Sequence, residues 1–228
     1  MSAIAIIPAR GGSKRIPGKN TRFFNGKPII EYSIRAALDS GLFDEVMVST
    51  DSQSIAEIAE NLGAKVPFMR TTENADDHAS TYDVISEVIT DYNKMGKKFE
   101  YTCCIYPTAP FVTKEKLILA NEALKDADTD AIFTVVEYSY PIQRSLILVD
   151  DKIKMKWEEN LKARSQDLDK HYHDAGQFYL FKTEKYLESK SVFQLQAAPL
   201  VVSQLEAQDI DEESDWKLAE LKHRLMMR

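Results

Sequence analysis

The chain has 228 residues, 44% of them hydrophobic and 29% charged, with a net charge of −7. This length and apolar share suit a single ordinary-sized domain, residues 1–228, with a real core. No run approaches the roughly 20 apolar residues of a membrane span, so no membrane partner is expected.

In chain order, an apolar strand over Ala3–Ile7 opens the sequence and breaks into a Gly- and Pro-bearing loop. Ile30, Ile34, Ala37 and Leu38 then follow a helical face that ends at Gly41. Glu45–Ser49 reads as a strand. Ser54-Ile55-Ala56-Glu57 has capping-box form and opens a helix through Ile58, Ala59 and Leu62 to Gly63. Val66–Met69 reads as a short strand, and Val84, Ile85, Val88, Ile89 and Tyr92 make the next helical stripe. A buried strand over Tyr101–Tyr106 is followed by a helix marked by Leu117, Ile118, Asn121 and Leu124, then a strand over Ala131–Val136. Alternating βα units predict an α/β fold with a mostly parallel sheet and helices on both faces.

The rhythm fails over residues 137–175, where only a hairpin of Leu146–Val149 and Ile153–Trp157 around Asp150-Asp151 stands out. A stretch this long without helices is usually functional or part of an interface. Gln177–Phe181 returns to the sheet, a short helix starts at Thr183, and Pro199–Ser203 is a last strand. Ser214–Met226 is a terminal helix with Leu218, Leu221 and Leu225 on one side. The N-terminus enters a strand with no basic-then-apolar leader, and Cys103 and Cys104 are adjacent, so both read as buried thiols of a cytoplasmic protein. His171 and His173 form an H-x-H pair with no third partner for zinc, and His78 and His223 read as solvated.

The loop Pro8-Ala9-Arg10-Gly11-Gly12-Ser13-Lys14-Arg15-Ile16-Pro17-Gly18-Lys19-Asn20 is the densest source of chemistry. Residues 1–30 carry six cations and no acid; removing these six charges from −7 leaves the remaining residues at −13. A cationic loop on an acidic body predicts a pocket for a small polyanion rather than a nucleic-acid track. Glycines let the backbone approach phosphate oxygens, and prolines pre-organise the loop. It is neither a Walker loop nor a dinucleotide fingerprint: Gly12 to Gly18 is one residue too long, and Gly11-Gly12 is adjacent rather than spaced. Asp209 and Asp211, two apart, fall on one side of an extended chain and suit Mg²⁺. Helix-start charge, with Glu212, Glu213 and Asp215 following, explains that spacing equally well.

The string I-P-A-R-G-G-S-K-R-I-P-G-K-N resembles the signature of the nonulosonate (sialic-acid-type) cytidylyltransferases. Val48-Ser49-Thr50-Asp51, Pro107-Thr108-Ala109-Pro110 and Asp209-Ile210-Asp211 continue the resemblance across nearly the whole chain. It implies a three-layer, Rossmann-like nucleotide-diphosphosugar transferase fold, with CTP and a nonulosonic acid sugar as substrates. It also implies Mg²⁺ on Asp209 and Asp211, and a homodimer whose 137–175 excursion reaches over the partner's site. Arg10, Gly11, Gly12, Ser13, Lys19 and Asn20 match the triphosphate loop, with Lys19 at the β/γ-phosphates and Arg10 towards the α-phosphate. Lys14 and Arg15 are left to shape the mouth. Arg70, Ala79, Ser80 and Thr81 match the segment that reads the cytosine edge; alternatively, Arg70 forms a surface ion pair with Glu73, Asp76 or Asp77.

Departures from the N-acetylneuraminate-using branch lie on the sugar side: Tyr106 stands for a glutamine, Gln143 for a lysine and His173 for an arginine. With Thr108, Arg144, Arg164 and Gln166, these residues resemble the pseudaminate-using branch. Arg144, Arg164 or His173 is the candidate for neutralising the sugar carboxylate. Core packing is an equal reading of Tyr106 and Phe111. Other nonulosonic acids, an inactive nucleotide-binding relative and a nucleic-acid binder are the rival readings; the acidic remainder disfavours the last.

Overall fold

A computed structural model describes residues 2–76, 78–126 and 128–226. The chain runs through β1 (Ala3–Pro8), a long loop, and a two-residue ladder of β2 (Phe23–Phe24) and β3 (Lys27–Pro28). Next come α1 (Ile29–Ser40), β4 (Glu45–Ser49), α2 (Gln53–Asn61), α3 (Thr81–Lys94) and β5 (Tyr101–Ile105). They are followed by α4 (Lys114–Ala123), β6 (Ala131–Glu137), the hairpin β7 (Leu146–Val149) with β8 (Lys152–Met155), and β9 (Tyr172–Lys182). The last elements are α5 (Thr183–Ser189), β10 (Ala197–Val202) and α6 (Glu213–Met226).

Six strands form one sheet in the order β10-β6-β9-β5-β1-β4. β1 pairs in parallel with β4 and β5, and β10 with β6; β9 is antiparallel to both its neighbours. The mostly parallel α/β sheet read from the sequence is therefore present, with one reversed strand at its centre.

Strand alternation sorts the core into two layers. Ala5, Ile7, Val46, Val48, Cys103, Ile105 and Leu180 pack on α1, α2 and α4 through Ile34, Ile55 and Leu117. Ile4, Ile6, Met47, Cys104 and Phe181 face the other way, onto Ile85, Val88 and Ile89 of α3. The adjacent cysteines thus belong to opposite layers. Burial pushes the Cys103 thiol well above its ordinary range and Cys104 up to about 12, so both stay protonated. A third cluster joins Ile16, Phe24, Ile29, Phe111 and Ile210 to Trp216 and Ala219 of α6. It ties the cationic loop and the Asp-Ile-Asp segment to the terminal helix.

Several local expectations are corrected. Val66–Met69 is not a strand; only one bridge, Met47 to Lys65, forms at that edge. Pro67 has no amide to donate, and the chain turns to bond the Arg70 amide to the Thr50 carbonyl at 2.8 Å. α2 starts at Gln53 after Ser52, so the capping box at Ser54 does not form. True capping boxes sit at Ser80 with Asp83 and at Ser203 with Glu206. On α6 the core takes Trp216, Ala219 and His223, while Leu218, Leu221 and Leu225 stay exposed. His223 is buried, not solvated: its ring meets Phe24, Tyr32 and Phe111, at 5.0 Å for Tyr32. Among the described residues, no helix is long and apolar enough to cross a membrane.

Candidate active site

The cationic loop leaves the C-terminal end of β1, where open α/β sheets bind ligands. Its first turn is fixed by Asp51, whose Oδ1 accepts from the Gly11 amide at 2.8 Å. A Cβ on Gly11 would lie 3.0 Å from the Ser52 Cβ, so a larger residue here would press on Ser52. Asn20 is buried and donates through Nδ2 to the Arg10 carbonyl at 2.9 Å, closing the loop on itself. Ile16 plugs the third core cluster from mid-loop, and Gly18 turns the chain at φ 63°. An anchored apolar residue amid cations leaves Lys14, Arg15 and Lys19 lining the cavity.

The Asp209-Ile210-Asp211 segment is held from four sides. Ile210 is buried, which turns the flanking carboxylates outward. Lys19 Nζ donates to the Ile210 carbonyl at 2.7 Å and lies 3.8 Å from Asp211. Lys222 Nζ donates to the Ala207 carbonyl at 2.7 Å, and Asp215 Oδ2 accepts from the Asp211 and Glu212 amides. Upstream, Glu206 meets Lys116 at 2.9 Å while its carbonyl accepts from Gln177. Burial lowers the pKa of Lys19, opposed by the charges of Asp211 and Asp209. Arg15 reaches Asp211 at 2.8 Å across an exposed gap.

Arg70 is only 8% exposed and forms no ion pair among the described residues: Nε donates to the Ser49 hydroxyl at 3.0 Å and Nη2 to the Ser49 carbonyl at 2.5 Å. Burial lowers its pKa, with the Asp51 and Glu87 charges opposing. Asp76 is otherwise engaged, taking Arg10 Nη1 on its carbonyl and the His78 and Ala79 amides on its carboxylate; Asp77 lies outside the described residues. Ser80 caps α3, whose N-terminus faces the same space.

These parts enclose a cavity of about 300 Å³ lined by Arg10, Ser13, Lys14, Arg15, Lys19, Asn20, Arg70, Asn74, Asp76, Ala79, Ser80, Thr81, Tyr106 and Thr108, among others. Five cations surround one carboxylate, so the site stabilises a polyanion. Gly11 and Gly12 are not among its lining residues. A second cavity of about 260 Å³ shares Ser80, Thr81 and Tyr106 with the first and adds Ile85, Asp174, Tyr179, Phe181, Tyr186, Lys190 and Phe193.

The other sugar-side residues line neither cavity. Gln143 Nε2 donates to the Asp169 carbonyl at 2.8 Å and lies 2.9 Å from His171 Nδ1. Arg144 donates to the Ala163 carbonyl at 2.5 Å, Arg164 pairs with Asp167 at 2.8 Å, and Gln166 is exposed. His173 Nδ1 meets the Asp174 carbonyl at 2.9 Å, and its ring packs on Tyr138. Leu146, Leu148 and Ile153 of the nearby hairpin are more than 60% exposed. Sequence reasoning missed Asn74, Asp76, Asp174 and Tyr179 as lining residues and left Asp51 without a role. Among the described residues, no group of three or more His, Cys, Asp or Glu side chains is placed to hold a metal.

Residues 4–223 match the cytidylyltransferase family. The chain is 40% identical to a pseudaminic acid cytidylyltransferase of Campylobacter jejuni over 226 residues, 99% of this chain and 97% of the relative. It is 32% identical to a CMP-N,N'-diacetyllegionaminic acid synthase of Legionella pneumophila, covering 96% and 95%. Among solved structures, a CMP:2-keto-3-deoxy-manno-octonic acid synthetase complexed with CTP superposes with a TM-score of 0.70 at 17% identity, covering 100% of this chain and 99% of that one, which bears on the fold alone.

Proposed function

The chain belongs to the cytidylyltransferase family, and on that premise we propose that it joins CTP to pseudaminic acid, giving CMP-pseudaminic acid and pyrophosphate. The anomeric hydroxyl of the sugar attacks the α-phosphorus of CTP in line, and pyrophosphate leaves. The observation that carries this reading is the five-cation cavity sharing Ser80, Thr81 and Tyr106 with a second cavity lined mainly by aromatic and apolar side chains, with Asp174 and Lys190 as its charged groups. The first takes the nucleotide. Lys19 and Arg10 hold the phosphates, with Ser13 and the Gly11-Gly12 backbone shaping the cradle. Arg70 and the Ala79–Thr81 turn read the base edge. The second cavity takes the sugar.

The donor set suits Mg²⁺: two hard carboxylates, Asp209 and Asp211, alternate around buried Ile210 beside the phosphate-binding lysine. Bound there with substrate phosphates completing its shell, the ion would neutralise charge and orient the triphosphate. The exposed apolar hairpin supports a homodimer in which the 137–175 excursion brings Gln143, Arg144, Arg164, Gln166 and His173 to the other protomer's sugar. The buried protonated thiols fit a reducing cytoplasm. The product is a donor for surface-glycan or flagellin glycosylation.

The test is pyrophosphate release by the purified protein with CTP and Mg²⁺ against a panel of pseudaminate, N,N'-diacetyllegionaminate, N-acetylneuraminate and an octulosonate. Pseudaminate is expected to give the highest kcat/KM. Preferred turnover of another acid overturns the substrate, and CTP binding without turnover of any acid overturns the enzyme.

A further inference from the structure

β9 carries an irregularity that regular pairing does not explain. Phe133 of β6 pairs with Tyr179, yet Val135, two residues on, pairs with Asp174, five residues away on β9. β9 therefore spends three extra residues here, with Gly176 at φ 60°. In a regular strand, residues an odd number apart point to opposite faces. The bulge removes that separation: the Tyr179 hydroxyl donates to Asp174 Oδ2, while the Gly176 amide donates to Oδ1 at 2.8 Å. Bulges next to binding sites commonly re-aim a side chain in this way.

The carboxylate so placed heads a polar chain. Burial, then the Tyr106 and Asp174 charges, push the Tyr179 pKa far up, which keeps its proton on the phenol and its donor role fixed. The Tyr179 ring meets Tyr106 edge-on with centroids 5.5 Å apart, and the Tyr106 hydroxyl lies 3.5 Å from Thr81 Oγ1. Asp174, Tyr179, Tyr106 and Thr81 thus run along one wall of the second cavity to the opening of the first. Ile85, Phe181 and Val192 add apolar lining to the same cavity, and Lys190 is its one cation. An ionised carboxylate has about four acceptor positions, and Gly176 and Tyr179 use one on each oxygen.

We propose that Asp174 is a specificity-determining residue for the acceptor, taking a hydrogen bond from a neutral amide N–H or hydroxyl on the acceptor's ring substituents. This rests on the reading of the second cavity as the acceptor site. The charge also orients the acceptor. A 2-keto acid sugar carries its carboxylate and reacting hydroxyl on the same carbon. Repulsion by Asp174 and attraction by the five cations of the first cavity, against the single Lys190 of the second, turn that carbon towards the nucleotide. Tyr179 and Tyr106 act through Asp174 as positioning residues that keep the shared wall in place.

The experiment is steady-state pyrophosphate release by wild type, Asp174→Asn and Tyr179→Phe, with pseudaminate and CTP varied separately. Asp174→Asn keeps the shape and removes the charge. Its KM for the sugar is expected to rise about tenfold or more, with KM for CTP within about twofold of wild type. Tyr179→Phe removes only the donor and is expected to raise the sugar KM about threefold; it decides the matter if Asp174→Asn fails to fold. An unchanged sugar KM, or a parallel rise in both KM values as a purely structural role would give, overturns the inference. Wild-type protein that turns over no nonulosonic acid overturns the acceptor reading itself, and this inference falls with it.

Discussion

The two cavities share a wall and are built in opposite ways. The first draws four of its five cations from one loop after β1, with Arg70 as the fifth, and is braced by a short segment that Ile210, Lys19 and Lys222 pin down. The four loop cations stand close together in sequence, and their field adds whatever the details of each side chain's contacts. The second gets its single carboxylate and its phenols from a strand irregularity and from residues about 70 positions apart, Tyr106 and Asp174 to Tyr179. Charge stabilisation is thus a local property of this chain, and acceptor selection a property of its pairing register. Electrostatic grip tolerates small displacements, whereas hydrogen-bond selection does not.

Removing the metal pair should break the first region most severely. Asp211→Ala is expected to lower turnover on the order of 100-fold or more while the unfolding midpoint moves little. Activity above half of wild type would remove the assignment. The hairpin sharpens the comparison from the acceptor side, because Leu148 and Ile153 are cross-strand neighbours and 71% and 69% exposed. Replacing both with Glu is expected to shift the mass in light scattering from dimer to monomer and to cut turnover about tenfold, leaving CTP affinity intact. A wild-type monomer would contradict this arm.

The brace beneath the metal pair is open to a stability test. Burial by itself would raise the Glu206 pKa, but the Ser203 hydroxyl and Lys116 outweigh it and bring it to about 2. A carboxyl depressed in the folded state stabilises at pH above its ordinary value of 4.5 and loses that contribution as pH falls towards 2. Glu206→Gln should therefore cost about 1–3 kcal/mol at pH 7 in denaturant unfolding, and the gap from wild type should close on acidification through that window.

The smallest effect belongs to His223. Burial, then the nearby Lys27 charge, lower its pKa, so the folded state prefers the neutral ring. Stability is full above the ordinary value of 6.5 and declines as pH falls below it, because the unfolded chain takes up the proton first. His223→Leu should flatten that slope between about pH 6.5 and 5, read from melting temperatures.

The element order and the cationic cavity were legible because they rest on local signals. Ile4 to Ile7 alternate between the two core layers, as a strand covered on both faces requires. The Asp209 and Asp211 spacing left metal binding and helix-start charge equally open, because it shows neither that Ile210 is buried between them nor that Asp215 accepts from the Asp211 and Glu212 amides. What stayed hidden depends on competition between distant groups. α6 offers two apolar stripes at helical spacing, and only the aromatic cluster of Phe24, Tyr32 and Phe111 selects Trp216 and His223 over the leucines. For Arg70 the sequence left a surface ion pair open beside the base-reading role, and its bond to Ser49, 21 residues back, could not be read from its acidic neighbours. The Asp174–Tyr179 contact crosses strand periodicity and exists only through the bulge.

The most direct test of the central claim is calorimetric titration of CTP and CMP into wild type and Lys19→Met with Mg²⁺ present. If the loop grips a triphosphate, CTP binds wild type at least about tenfold more tightly than CMP, and Lys19→Met loses most of that difference while CMP binding is retained. Equal affinity for CTP and CMP in wild type, or a preference untouched by Lys19→Met, would contradict the account.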